Sequence, residues 1–176
     1  MPRLSGFLFP VLAGLASVGW LSPAGAHSLE AIHELEGLIN ASGTETAVSS
    51  SCPPHHAAYY ENDGHRIDRL VLCTNTVDFT DPVAVWKVMA HEATHVMQAC
   101  RGGHILPDAA MFSTYRQLRG SAPQNARLLD DGYRPADVRL EAEAFWMELQ
   151  PPATVLARFR QACRRHLPAG PPRRLP

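Results

Sequence analysis

The chain has 176 residues, 45 % of them apolar and 19 % charged, a balance that excludes a disordered chain and a multi-span membrane protein. Setting aside 26 residues that read as an export signal leaves 150, room for one domain with one core and not for two. The formal charge of −1 gives no basis for a nucleic-acid partner, while nine histidines direct attention to metal or proton chemistry.

Arg3 and the amino terminus precede an apolar run from Leu4 to Leu21, which ends in Ala24-Gly25-Ala26. Basic start, apolar middle and small-residue site are the order of a cleavable signal, so residues 1–26 are expected to direct export to the periplasm or the medium. An uncleaved anchor is the competing reading; cleavage would leave no membrane span. Export leads to an oxidising compartment, which makes Cys52, Cys73, Cys100 and Cys163 candidates for two disulfides. Four cysteines allow three pairings; chain order favours Cys52 with Cys73 and Cys100 with Cys163.

The mature chain is expected to form a single domain over residues 27–166, followed by a Pro- and Arg-rich tail at 167–176. From Ser28, the spacing of Leu29, Ile32, Leu35, Leu38 and Ile39 predicts an amphipathic helix ending near Gly43. Residues 41–54 are rich in Ser, Thr and Gly and read as a loop. Arg69 to Thr74 is β-prone, and Ala58-Tyr59-Tyr60 can pair with it across Asn62-Asp63-Gly64. Asp81-Pro82 supplies an N-cap acid and a first-turn proline for a long helix that should run to Cys100 and stop at Gly102-Gly103. Asp108 can cap a helix through Arg119, and a polar loop follows. Two more helices are predicted, from Ala136 to Leu149 and from Ala153 to His166.

The long helix carries His91-Glu92-Ala93-Thr94-His95, an HExxH pattern. Imidazoles four positions apart stand one turn apart on one helix face, where their nitrogens can converge on a single tetrahedral ion. Glu92 is offset from that pair and can reach a metal-bound water as a general base. The wheel places Glu92 and His95 on the arc of Val85, Val88 and Val96, where polar groups without partners are costly. A third ligand is needed, and Glu141 or Glu143 on the helix before Pro151 can supply it.

HExxH followed on a later helix by Glu-x-x-Ala resembles the gluzincin class of zinc metallopeptidases, over Asp81–Gly103 and Tyr133–Leu149. The resemblance implies an α+β, mostly helical zincin-like domain with a short antiparallel sheet beside the HExxH helix. It also implies zinc held by His91, His95 and Glu141, with Glu92 activating a water to cleave a peptide or protein substrate. Glu141 flanks the apolar group Val138, Ala142, Phe145 and Leu149, in agreement with that choice over Glu143. One position departs from the class. Where several such families carry an acid that orients a histidine ligand, this chain has Phe145, so Asp108, Glu143 or a backbone carbonyl must take that role. Tyr133, His104 and Tyr115 are candidate oxyanion donors. The cleft is expected between the HExxH helix and an exposed strand edge. The rival reading is a zinc-stabilised binding or scaffold protein without turnover.

Two features stand outside this scheme. His55, His56 and His65 cluster around the expected hairpin as exposed loop residues or a second metal site. After Glu148 no acid occurs, while Arg158, Arg160, Arg164, Arg165, Arg173 and Arg174 accumulate. That basic end is either a solvated face or a dock for an acidic envelope surface or partner.

Overall fold

The computed structural model describes residues 29–168; the expected export signal with its cleavage site, and the tail from residue 169 onward, lie outside the described residues. The architecture is α+β: helices α1 (Leu29–Ala41), α2 (Pro82–Arg101), α3 (Asp108–Ser121), α4 (Pro123–Asp131), α5 (Val138–Glu148) and α6 (Pro152–Ala162), with strands β1 (Glu45–Ser49), β2 (Ala58–Asn62) and β3 (Asp68–Cys73). No helix among the described residues is long and apolar enough to cross a membrane.

The sheet has the order β1-β3-β2, with β2 antiparallel and β1 parallel to β3. It is therefore mixed, where an antiparallel sheet was expected. The difference is β1, which falls in the segment that reads as a loop. Its five residues are exposed or half-buried throughout, so no apolar alternation marks it. The β2–β3 hairpin follows the expected turn chemistry. Asp63 Oδ1 accepts from the backbone amides of His65, Arg66 and Ile67, at 2.7 to 2.9 Å, and Gly64 takes φ +75°.

Helix α2 is the hub, packing against α5 most extensively and also against α1, α6, β2 and β3. Both of its ends are set by local sequence. Asp81 accepts from the Val83 amide at 2.8 Å and Pro82 opens the first turn. At the other end Gly102, at φ +70°, and Gly103 donate back to Ala99 and Gln98. Trp86, Met89 and Met97 are fully buried along its inner side, with Leu35, Ile39, Leu70, Leu118, Met147 and Phe159 from the surrounding elements. Each such side chain contributes about 1.5–3 kcal/mol by leaving water.

Helix α4 was expected to be loop. It buries only Ala126 and Leu129, too few apolar positions to show a period, and is started by Pro123. Asp108 opens α3 but does not cap it through its side chain; its carboxylate instead pairs with Arg139 on α5 at 2.6 Å. The paired cysteines are Cys52 with Cys73 and Cys100 with Cys163, as chain order favours, and they fit an oxidising compartment. The second bridge ties the end of α2 to the end of α6 across 63 residues of sequence. In the loop-entropy model it stabilises by about 4 kcal/mol, against about 3 kcal/mol for the shorter loop. Replacing Cys100 and Cys163 by Ser together should therefore lower the denaturant midpoint more than the same change at Cys52 and Cys73. Equal midpoints, or four free thiols in the native protein, would overturn this.

Candidate metal centre

His91 and His95 project from consecutive turns of α2 toward α5, with ring centroids 5.2 Å apart. Opposite them, α5 presents Glu141. Its Oε2 lies 3.3 Å from His91 Nε2 and its Oε1 lies 3.6 Å from His95 Nε2. Around a tetrahedral zinc with bonds of about 2.0–2.1 Å, ligand atoms stand roughly 3.3–3.4 Å apart. The Glu141 carboxylate thus stands from each imidazole at close to the separation such an ion needs. Among the described residues this is the group of three whose ligand atoms could hold a metal, all within 4.8 Å of one another.

The remaining ring nitrogens fix the tautomers. His91 Nδ1 is 2.7 Å from Glu148 Oε1, and a carboxylate can only accept, so Nδ1 carries a hydrogen and Nε2 is the nitrogen left to bind a metal once its own proton is displaced. His95 Nδ1 is 2.9 Å from Gln98 Oε1. That amide is oriented by its nitrogen, which donates to the Leu140 carbonyl and to Glu143 Oε2, each at 3.0 Å. Both Nε2 atoms therefore face Glu141 across the gap. The residue that orients His91 is Glu148, not Asp108, Glu143 or a backbone carbonyl. Phe145 occupies the intervening turn of α5 and packs edge-on against the His91 ring, at 4.8 Å. Glu141, Phe145 and Glu148 stand at i, i+4 and i+7, one stripe of the helix. That seven-residue step was the signal available for finding Glu148.

Glu143 has another task. It is wholly buried and accepts from the Ile105 amide at 2.9 Å, from the Leu106 amide at 3.1 Å and from Gln98. It pins the segment after α2 to α5, and it does not face His91 or His95.

The charges follow from this crowding. Burial opposes a proton on His91, but the hydrogen bonds to Glu141 and Glu148 and the nearby Glu92 outweigh it, raising the imidazole to about 10. Burial, countered by the two imidazoles and reinforced by the neighbouring carboxylates, raises Glu92. Burial also acts to raise Glu141, yet His91, His95 and the Tyr133 hydroxyl together hold it below the ordinary carboxylate value. Three carboxylates against two imidazoles leave this seam negative, and a divalent cation answers that charge.

Glu92 opens into a cleft of about 630 Å³ bounded by α2, by residues 55–58 leading into β2, by Thr76–Asp78, and by α4 and α5. His55 and His56 line its sheet side, away from the three-residue group. Strand β2 forms one edge of the sheet and packs beside α2. A second, more open hollow of about 460 Å³ lies at His95 and Glu141, between Tyr60 and the Gly102-Gly103 turn. Of the three candidate donors, Tyr133 lines the cleft and bonds Glu141. Burial and that carboxylate push its hydroxyl up to about 12, so it stays protonated. His104 lies 3.8 Å from Glu143 instead, and the charges nearest Tyr115 are Arg139, Glu143 and Asp130, so neither reaches the cleft. Comparison with protein-family models, characterised proteins and solved structures gave no match.

Two measurements follow. Glu148→Ala should weaken zinc binding by about 10–100-fold, measured against a chromophoric chelator, with the fold intact; unchanged affinity would remove its orienting role. The raised His91 proton stabilises the metal-free fold fully below the unfolded value of about 6.5, and that contribution fades as pH climbs toward 10. A metal ion must displace the same proton. The rise in melting temperature on adding zinc should therefore grow from pH 6 to pH 8.5; a constant or shrinking rise would contradict this assignment.

Proposed function

We propose that the protein is an exported, zinc-dependent hydrolase that cleaves peptide bonds, with His91, His95 and Glu141 holding the metal and Glu92 acting as the general base. The observation that carries this reading is the pair of Nε2 atoms turned toward Glu141 by Glu148 and Gln98, with Glu92 beside them at the cleft. A bound zinc ion supplies Lewis acidity and an acidified water.

The chain's own residues supply the rest. The Glu92 carboxylate is nearly buried and raised in pKa, which suits it to accept a proton from that water and to pass it to the departing amine. Tyr133 keeps its phenolic hydrogen and stands beside Glu141, placed to donate to the oxygen that gains charge as the carbonyl is attacked. The unpaired edge of β2 offers backbone groups to an extended peptide running beside α2. The two disulfides fit delivery outside the reducing cytoplasm, to the periplasm or the medium.

The rival reading, a metal-stabilised scaffold, drew support from the missing acid at residue 145. Glu148 supplies an acid to His91 from one turn further on, which favours the enzyme. Glu92→Gln separates the two readings. It should leave zinc stoichiometry and melting temperature near those of the parent while cutting hydrolysis of a fluorogenic peptide library by about 10²–10⁴-fold. Chelator-insensitive cleavage, or equal activity in the variant, would refute the assignment.

A further inference from the structure

Arg164 and Arg165, from the basic end, meet Arg101 at a site distinct from the His91, His95 and Glu141 group. A cavity of about 360 Å³ lies where α2 and α6 finish, lined by Cys100, Arg101, Gln161, Ala162, Arg164 and Arg165. It shares no lining residue with the cleft or with the hollow at His95. The Cys100–Cys163 bridge fastens the two helix ends to each other, so the three arginines are held around one space by a covalent link.

None of these three guanidinium groups meets a carboxylate among the described residues, whereas Arg160 pairs with Glu34, Arg139 with Asp108 and Arg119 with Asp130. Every Asp and Glu of the chain falls between Glu30 and Glu148, so the remaining residues hold no acid that could neutralise them. Two helix C-termini end at the cavity, and their carbonyls contribute about half a negative charge each. Three full positive charges exceed that, and the space stays positive.

We infer that this cavity binds a phosphate group. Three planar forks and the Gln161 amide can engage several tetrahedrally disposed oxygens at once, and the negative charge of a phosphate answers that of the arginines. The phosphate can belong to a soluble phosphoester or to the headgroup of an anionic lipid. Either would hold the protein at a phosphate-bearing partner through a site independent of hydrolysis.

The test uses the full-length exported protein, its Arg101→Ser/Arg164→Ser/Arg165→Ser variant, and Gln161→Glu, which places an acid in the cavity. Pyrophosphate binding is followed by calorimetry, and sedimentation is measured with phosphatidylglycerol and phosphatidylcholine vesicles, before and after dialysis against a chelator. The expected result is pyrophosphate binding that survives metal removal, weakens by about tenfold or more per arginine lost, and weakens again in Gln161→Glu. Cosedimentation with phosphatidylglycerol vesicles but not phosphatidylcholine, lost in the triple variant, identifies a lipid source; pyrophosphate binding without cosedimentation identifies a soluble one. No binding of either probe, binding unchanged by the substitutions in a folded variant, or binding abolished by the chelator would overturn the inference. The last outcome would place the anion at the metal centre.

Discussion

The seam between α2 and α5 governs this molecule. Packing two helices along their length is ordinarily a matter of apolar ridges and grooves. Along one part of the same seam, however, Glu92, Glu141 and Glu148 are gathered around two imidazoles. Taking like charges out of water costs several kcal/mol per ion unless a counter-charge enters with them. A protein can meet that cost with protons, as the raised His91 indicates, or with a metal ion. The same arrangement therefore explains why a cation should bind and why Glu92 is a stronger base than an exposed glutamate.

Around this seam the fold is braced by polar tethers as much as by its core. Glu143 draws Gln98 and the amides of Ile105 and Leu106 onto α5, so the turn that ends α2 and the side chain that orients His95 share one buried carboxylate. Glu148 does likewise on the opposite side, reaching His91 and, at 3.3 Å, the Asn125 amide of α4. The orientation of the two imidazoles is thereby coupled to the placement of α4 and of the segment after α2.

Much of this was legible in the sequence where a local rule acts alone. The Asp81-Pro82 start and Gly102-Gly103 stop of α2, the hairpin turn and the HExxH spacing are each set within a few residues. The sequence-level preference for Glu141 over Glu143 matches where the two carboxylates stand. What escaped depends on partners distant in sequence. Strand β1 is held by its ladder with β3 rather than by its own alternation, and α4 rests on two apolar contacts. The role of Glu148 is hidden in the sequence because Phe145 fills the position four residues after Glu141 as a wall against His91, and the acid stands at the next turn.

The two hollows flanking the His91, His95 and Glu141 group carry a last implication. One is bounded by Phe145 and the segment entering β2, the other by the Gly102-Gly103 turn, so open space lies on two sides of the three side chains. A terminus-trimming enzyme blocks one end of its trough so that the free amino or carboxyl group has somewhere to stop. If the proposed hydrolysis holds, hollows on both sides of the three side chains would suit scission in the interior of a strand, with no premium on its ends.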